Sequence, residues 1–275
     1  MSGQWSVDGE PGTLLPVDDR GLAYGDGVFE TVRVNRGVAV WGTQHLARLA
    51  AGCAALEIHL PGLGALESEL AGMAAQLGEG IVKLIVTRGG GARGYRPDPD
   101  ARARRIASAH GLPMPSTRPL VVDIAQLRLS VQPRLAGLKH LNRIEQVLAA
   151  RECATRGLDE AILADTDGHA TSGVATNLFW RRDGHWHTPA VDRAGVAGVC
   201  RAWILERRPD TRIVHAPVDE LAGAEALFLC NSVRGILPVA RMGPRALPIG
   251  PHTRALMSEL HDFCPAFHPA QGAAT

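Results

Sequence analysis

The chain has 275 residues, of which 45% are hydrophobic and 21% charged, and its formal net charge is +1. This length favours two domains, and the near-neutral charge gives no reason to expect nucleic acid or an anionic membrane as a partner. Without an apolar run of 18 residues or an N-terminal signal segment, we expect neither a spanning helix nor secretion. Five scattered cysteines with no CxxC pair fit reduced thiols in the cytoplasm.

The N-terminal part of the sequence predicts a small α/β domain. Residues 28–34 alternate as in a strand, and the turn NRG joins them to residues 38–41, which predicts a hairpin. Apolar residues at helical spacing then follow Thr43, the expected N-cap of an amphipathic helix. A weaker, alanine-rich helix is expected over residues 65–77.

A long polar loop separates strands predicted at 81–87 and 119–127, and so large a loop inside a compact domain is usually functional or disordered. Its segment RGGGARGY satisfies the dinucleotide-binding pattern GxGxxG literally. In such a site the glycines must open a helix, but prolines at 97 and 99 follow at once and no helical pattern begins. The sequence therefore disfavours nucleotide binding; the loop's arginines and Tyr95 suit carboxylate ligands.

The remainder predicts a larger, β-rich domain. His185 and His187 lie on one strand face with no third ligand nearby, so a polar hairpin edge is favoured over a metal site, and we expect no metal. The predicted organisation is an α+β fold with a small domain at 1–127, a linker at 128–138 and a large domain at 139–275. The predicted elements of this part are helices ending before Gly157 and at 198–208 and 252–261, strands at 159–165, 173–180, 211–216 and 225–230, and a hairpin through 181–188.

Lysine is rare in this chain, and its position raises a chemical question. Lys83 and Lys139 are the only two lysines among 29 basic residues. One interpretation of Lys139 is a solvated surface residue before a helix. The other is an amine nucleophile, because a lysine can form a Schiff base and an arginine, which stays protonated, cannot. A Schiff-base lysine commonly implies pyridoxal phosphate (PLP).

Several ordered blocks resemble the fold-type IV PLP enzymes, which include branched-chain and D-amino-acid aminotransferases and aminodeoxychorismate lyases. The resemblance covers nearly the whole chain and implies the two-domain fold of that family, PLP as cofactor and a homodimer. The matching blocks are DDRGLAYGDGVFETVRV (18–34), HLARL (45–49), LKHLNRIEQVLA (138–149), ATNLFW (175–180), GVAGVCR (195–201) and NSVRGILPV (231–239).

The resemblance also implies roles for individual residues. Lys139 takes the place of the catalytic Schiff-base lysine, and Arg48 that of the arginine that contacts the PLP phosphate. The backbone at Val199 and Cys200 and the hydroxyl of Ser232 take the places of further phosphate ligands. Cys200 stands where the family has a threonine, which is a small change if only the backbone N–H is used.

Within the family, RGGGARGY and GLKHLNRIEQ resemble most the members that convert 4-amino-4-deoxychorismate to 4-aminobenzoate and pyruvate in folate synthesis. The resemblance therefore implies a lyase acting on a small dicarboxylate, with Arg93, Tyr95 and Tyr24 binding the substrate. A D-amino-acid or branched-chain aminotransferase on the same fold is the alternative. A non-catalytic or nucleotide-binding protein that carries the glycine-rich loop is a further alternative of another class.

Ser172 departs from the family pattern. It stands five residues before Asn177, at the place where the family usually has a glutamate that pairs with the protonated pyridine nitrogen of PLP. A serine cannot balance that positive charge, so the ring withdraws electrons less strongly. Transamination needs a deep electron sink, whereas an elimination that ends in an aromatic ring needs it less. We therefore interpret Ser172 as favouring a lyase; replacement by a nearby acid, or reduced activity, stays open.

Overall fold

The computed structural model describes residues 4–60, 62–91, 94–114 and 118–267. They form two compact units. The first comprises the described residues up to Pro113 together with Leu138–Asn142, and the second comprises those of Met114–Gly137 and those from Arg143 onward. No helix in the described ranges is long and apolar enough to cross a membrane.

The first unit is an antiparallel six-stranded sheet with the order β2-β1-β6-β5-β3-β4. Valines of β3 and β5 pack against leucines of α2 and α3, which form the hydrophobic core of this unit. The elements are β1 (Trp5–Val7), β2 (Glu10–Pro11), α1 (Arg20–Tyr24), β3 (Gly27–Asn35), β4 (Val38–Ala39), α2 (Gly42–Ala55), α3 (Leu63–Leu77), β5 (Gly80–Thr87) and β6 (Arg104–His110).

The second unit is a mixed nine-stranded sheet with the order β12-β11-β10-β13-β14-β7-β8-β9, and β15 pairs with β14. Its elements are β7 (Leu120–Leu129), α4 (Ile144–Arg156), β8 (Glu160–Asp165), β9 (Ala170–Gly173), β10 (Asn177–Arg182), β11 (His185–Pro189), α5 (Val199–Arg207), β12 (Arg212–Val214), β13 (Ala226–Asn231), β14 (Gly235–Met242), β15 (Arg245–Ala246) and α6 (Pro251–Phe263), with 3₁₀ turns at Val218–Gly223 and Pro265–Phe267. Its largest core cluster lies between β7, β8, β10, β13 and β14.

The unit boundaries differ from the predicted ones at two places. β7 was assigned to the small domain, but it pairs with β14 and β8 of the second sheet. Residues 138–142 were placed at the junction of the linker and the large domain, but they pair with β3 of the first sheet. Backbone pairing, rather than sequence adjacency, decides to which unit a segment belongs.

Several predicted elements need local corrections. Thr43 is not the N-cap of α2; the cap is Trp41, which has a positive φ and makes no side-chain capping hydrogen bond. The predicted strand at 173–180 is two strands, β9 and β10, interrupted at 174–176. The HWH segment is not at a sheet edge, because β11 pairs with β10 on one side and β12 on the other.

Candidate active-site residues

Lys139 is fixed through its main chain to strand β3. The Phe29 N–H donates to the Lys139 carbonyl at 2.9 Å, and the Leu141 N–H donates to the Gly27 carbonyl at 2.9 Å. The Asn142 side chain donates to the Gly25 carbonyl at 3.1 Å. Since the segment is attached to β3 at Lys139 itself and at the residues just after it, this lysine is placed with the precision that a reacting group needs.

Both lysines of the chain lie beside the aromatic ring of Phe29. The Nζ atom of Lys139 is 4.2 Å from the ring centroid, and the Nζ atom of Lys83 is 5.4 Å from it. Distances below 6 Å allow a cation–π attraction, which restrains a flexible ammonium group. Lys139 is therefore half-buried next to an aromatic ring, in contrast to the fully solvated lysine of the alternative interpretation.

A buried carboxylate, Glu30, organises the helix residues next to this strand. Glu30 is on the face of β3 that carries the core valines and is fully buried. Arg48 donates from Nε to Oε1 at 2.8 Å and from Nη2 to Oε2 at 2.5 Å. His45, also fully buried, shares a hydrogen bond of 2.6 Å between its Nδ1 and Glu30 Oε2. The two-point pairing fixes the plane of the Arg48 guanidinium.

The charges of this group follow from its burial and its partners. Burial alone would raise the pKa of Glu30, but hydrogen bonds from Arg48 and His45 outweigh it, and the pKa is lowered. Burial lowers the pKa of His45; Glu30 opposes this shift, while the charges of Arg48 and Lys139 add to it. Glu30 is thus ionised and His45 neutral, with its Nδ1 proton directed to the carboxylate. The Nε2 atom of His45 is buried and has no hydrogen-bond partner among the described residues.

Replacing Glu30 with glutamine should loosen Arg48. A neutral amide cannot accept both hydrogen bonds and removes the buried negative charge that faces the Arg48 guanidinium, which costs about 1–3 kcal/mol of unfolding free energy. We expect the dissociation constant for PLP, measured by absorbance titration, to rise about tenfold. Glu69→Gln is the matched control, since Glu69 pairs with Arg105 and Ser6 in the same unit. An unchanged PLP affinity in Glu30→Gln would contradict the assigned role of Arg48.

The neutral His45 should make stability depend on pH. Its pKa in the folded protein is below its ordinary value of 6.5. Below pH 6.5 the unfolded chain binds a proton at this histidine that the folded chain does not bind. The unfolding free energy therefore decreases as the pH falls from 6.5 towards the pKa of His45 in the folded protein. Between pH 6.5 and 5.5 the unfolding free energy should fall by up to about 1 kcal/mol more in the wild type than in His45→Asn.

Urea titrations at several pH values measure how the unfolding free energy changes with pH. Asparagine keeps a donor for Glu30 but does not titrate, and His110→Asn, at an exposed strand end, is the control. The lowered pKa of Glu30 changes the unfolding free energy only below its ordinary value of 4.5, which is outside the range from pH 6.5 to 5.5. Equal slopes in wild type and His45→Asn would show that His45 is not the titrating group.

In the second unit, Ser172 is buried in β9. Its hydroxyl donates to the Gly173 carbonyl at 2.8 Å, and its strand partner is Leu163. The nearby buried acid is Glu160, which accepts from the Val174 N–H at 2.6 Å and the Ala175 N–H at 3.1 Å. Burial raises the pKa of Glu160, although these two hydrogen bonds oppose the shift. One oxygen of Glu160 is thus engaged in holding the backbone after β9.

The N-terminus of α5 lies against the side chain of Asn177. A Cβ on Gly198 would be 1.9 Å from Asn177 Oδ1, so only glycine permits this approach. Asn177 also donates to the Val196 carbonyl at 2.8 Å. The Cys200 thiol points into the core, where its hydrogen bond with Cys230, together with burial, raises its pKa well above the ordinary value. Only the backbone of Cys200 is thus available at the helix start, and no side chain caps this helix among the described residues.

Ser232 lies in the turn that joins β13 to β14. The Asn231 side chain accepts from the Val233 and Arg234 N–H groups at 3.0 and 2.8 Å and donates to the Ala175 carbonyl at 3.2 Å. The turn is therefore connected to the segment between β9 and β10. The predicted residues of the second unit, Ser172, Val199, Cys200 and Ser232, belong to segments that Asn177, Asn231 and Glu160 hold in contact.

Two of the three predicted substrate ligands lie close together in the first unit. The rings of Tyr24 and Tyr95 are 5.6 Å apart, and the Gly94 N–H donates to the Tyr24 hydroxyl at 3.3 Å. Tyr95 is strongly exposed, as a ligand-binding side chain on a loop can be. Arg93 is outside the described residues. No helix begins in the described part of residues 88–103, so the helix that a dinucleotide site requires does not follow these glycines there.

Sequence interpretation missed two polar residues of the first unit, Glu30 and His45. The signal was present, since alternation places Glu30 between Val28 and Val32 on the core face, where a charged residue needs a partner. The partner is in HLARL, in which His45 and Arg48 are three residues apart and share one helix face. A buried acid opposite two basic residues could have been predicted from these patterns together.

Comparison with known proteins identifies the family. Residues 27–242 match the family model "Amino-transferase class IV". The chain belongs to this family. The crystal structure of 4-amino-4-deoxychorismate lyase from Pseudomonas aeruginosa superimposes with a TM-score of 0.90 at 44% identity, over 94% of this chain and 98% of that one. The predicted family and the α+β fold class are thus confirmed.

Relatives of this class IV family member differ in the activity they are named for. The aminodeoxychorismate lyase of Vibrio harveyi is 31% identical over 277 residues, covering 93% of this chain and 98% of the relative. A putative branched-chain-amino-acid aminotransferase of Methanocaldococcus jannaschii is 28% identical over 274 residues, covering 92% of each. Both alternatives retained from the sequence thus occur among the relatives, and the lyase is the more similar of these two.

Proposed function

We propose that this protein is a PLP-dependent aminodeoxychorismate lyase that converts 4-amino-4-deoxychorismate to 4-aminobenzoate and pyruvate. The observation that carries the proposal is Lys139, held through backbone hydrogen bonds beside Phe29 in a chain that matches a solved lyase along nearly its whole length. The cofactor is PLP, and the product places the enzyme in folate biosynthesis.

The residues present fit PLP. The first unit offers Lys139 and an oriented Arg48, and the buried Nε2 of His45 has no partner among the described residues. The second unit offers the uncapped start of α5 at Val199 and Cys200 and the hydroxyl of Ser232. Arginine, helix N-termini and hydroxyls are the groups that bind phosphate, and lysine is the group that holds an aldehyde.

In the proposed reaction, bound PLP supplies an electron-withdrawing ring conjugated to the substrate nitrogen. The amine of Lys139 would hold the cofactor, and the same amine, when free, would accept the proton from C4 of the substrate as a general base. The bond between the ring carbon and the oxygen of the enolpyruvyl group breaks, and the electron pair of the C4–H bond completes the aromatic ring, which provides driving force. The leaving enolpyruvate takes up one proton on carbon, which balances the one removed from C4, and becomes pyruvate. Arg48, Val199, Cys200 and Ser232 bind the phosphate.

Substrate recognition falls to Tyr24, Tyr95 and Arg93 in this proposal. Two carboxylates require cations and hydroxyl donors; the segment around Tyr95 is rich in arginine, and Tyr95 and Tyr24 supply hydroxyl groups. Ser172 stands at the position where related enzymes have a glutamate, and a serine cannot supply the negative charge of that glutamate. This supports elimination over amino transfer.

The decisive experiment incubates holoenzyme with 4-amino-4-deoxychorismate and measures 4-aminobenzoate by fluorescence and pyruvate by a coupled assay. Amino transfer from D-alanine or branched-chain amino acids to 2-oxoglutarate is measured in parallel. Equal amounts of 4-aminobenzoate and pyruvate support the lyase. Amino transfer alone would support the alternative, a fold-type IV aminotransferase, and neither activity would refute both.

We further propose a cytoplasmic homodimer. Ile144, Val147 and Leu148 of α4 are 67%, 52% and 44% exposed, and an apolar helix face of this kind favours association. Light scattering during size-exclusion chromatography gives the mass directly. A monomeric mass at micromolar concentration would contradict the dimer.

A further inference from the structure

We propose that Arg20 is a positioning residue that fixes the described residues of the substrate-recognition loop, 88–91 and 94–95, in the conformation that receives the substrate; this rests on the proposed function. Arg20 reaches both sides of the loop. Its backbone N–H donates to the Gly89 carbonyl at 2.9 Å. Its Nη1 donates to the Gly94 carbonyl and its Nη2 to the Tyr95 carbonyl, each at 2.9 Å.

Arg20 is itself oriented by a charged partner. Its Nε donates to Asp26 Oδ2 at 2.9 Å, and Arg88 donates to the same carboxylate from Nε at 2.8 Å and from Nη2 at 3.1 Å. Burial alone would raise the pKa of Asp26, but the hydrogen bonds from Arg88 and Arg20 outweigh it and the pKa is lowered. The carboxylate is therefore charged at neutral pH and fixes the direction of the guanidinium.

The same guanidinium supports the two tyrosines assigned to the substrate. Its central carbon is 4.8 Å from the centroid of the Tyr24 ring, and Tyr24 in turn contacts Tyr95 and accepts from the Gly94 N–H. Arg20 thus touches the backbone that carries Tyr95 and the ring of Tyr24. A change in its position would displace both side chains together.

Arg20 acts through the loop rather than on the substrate. It is only 4% exposed, and three of its donor nitrogens are already engaged with Asp26, Gly94 and Tyr95. Bridging two carbonyls while pairing with a carboxylate requires the planar fork of arginine; a lysine ammonium is a single point of attachment. We therefore expect that a lysine in place of Arg20 does not hold the loop in position.

The test compares Arg20→Lys and Arg20→Gln with wild-type holoenzyme. Both variants should raise KM for 4-amino-4-deoxychorismate at least about tenfold and leave kcat within about threefold, since the loop orients substrate but does not hold the reacting lysine. Their PLP affinity should equal that of the wild type, which shows that they fold. Arg105→Gln is the control, because the Arg105 side chain pairs with Glu69 in the same unit and donates no hydrogen bond to the described residues of the loop.

A second measurement does not depend on turnover. Chymotrypsin cleaves after exposed tyrosines, and Tyr95 is 87% exposed while its carbonyl accepts from Arg20. Cleavage between Tyr95 and Arg96, identified by mass spectrometry, should be at least about fivefold faster in Arg20→Lys than in wild type or Arg105→Gln. The reason is that the loop can bind in the active site of the protease more readily once the Tyr95 carbonyl has lost its hydrogen-bond donor.

The outcomes separate this inference from the proposed function. If wild type forms 4-aminobenzoate and Arg20→Lys keeps both the wild-type KM and the wild-type cleavage rate, the inference is wrong. Faster cleavage with an unchanged KM also overturns it, because the loop would then be anchored without serving recognition. If wild type forms no 4-aminobenzoate, the proposed function fails, and an unchanged cleavage rate would overturn the anchoring as well.

Discussion

Replacing Lys139 with alanine should lower kcat for 4-aminobenzoate formation by at least about 10³-fold. The variant loses both the amine that holds the cofactor and the base proposed to accept the C4 proton, and a positioned acid–base group alone contributes about 10²–10⁴-fold. The visible absorbance band of bound PLP should disappear as well. PLP phosphate contacts remain, so the variant should still bind the cofactor, but more weakly.

The rarity of lysine makes this prediction unusually easy to check. Borohydride reduction of holoenzyme fixes the cofactor to the lysine that holds it, and peptide mapping then has only Lys83 and Lys139 to distinguish. We expect the label on Lys139 alone. Lys83→Arg is the matched control: Lys83 is beside the same Phe29 ring, and arginine keeps its charge but cannot hold the cofactor. A label on Lys83, or full turnover in Lys139→Ala, would show that the wrong amine was assigned.

The position of Lys139 also shows where sequence interpretation stops. The family blocks predicted which lysine matters, but its own neighbours in sequence suggested a linker leading into α4. The structure attaches residues 138–142 to β3, more than 100 positions earlier, through two backbone hydrogen bonds. Backbone pairing over such a distance leaves no local pattern, since residues 138–142 are too few to show the alternation that identifies β3 as a strand.

Strand β6 was missed for a different reason. Residues 104–110, RRIASAH, begin with two arginines inside a region rich in Gly, Arg and Pro, so composition indicated a loop. In the structure Ala107 and Ala109 face the core while Arg104 and Arg105 pair with Asp8 and Glu69. Small side chains give a weak alternation signal, and the acids that balance the arginines come from distant segments. Tertiary context thus overrides composition here.

Replacing Ser172 with glutamate should move the enzyme towards amino transfer. A carboxylate at this position would stabilise the protonated ring nitrogen of the bound cofactor and deepen its electron sink. We expect amino transfer from D-alanine or branched-chain donors to 2-oxoglutarate to rise at least about tenfold, equivalent to about 1.4 kcal/mol of activation free energy. Formation of 4-aminobenzoate should stay within about threefold or fall, because aromatisation already drives that reaction.

The same substitution should couple stability to the cofactor. Ser172 is buried, and its hydroxyl uses a neighbouring carbonyl as its partner. A glutamate carboxylate there is an unpaired buried charge in the apoprotein, which destabilises it, and the protonated ring nitrogen would supply the missing partner. PLP should therefore raise the melting temperature of Ser172→Glu by more degrees than it raises that of the wild type.

Ser172→Gln separates charge from size in this experiment. Glutamine has the length of glutamate but cannot balance a protonated nitrogen, so it should gain neither amino transfer nor the larger thermal shift. Equal behaviour of the two variants would assign the effect to packing. If Ser172→Glu gained no amino transfer and lost no lyase activity, the ring nitrogen would not control the choice of reaction. Another acid, with Glu160 as the buried candidate beside the same segment, would then have to be tested in its place.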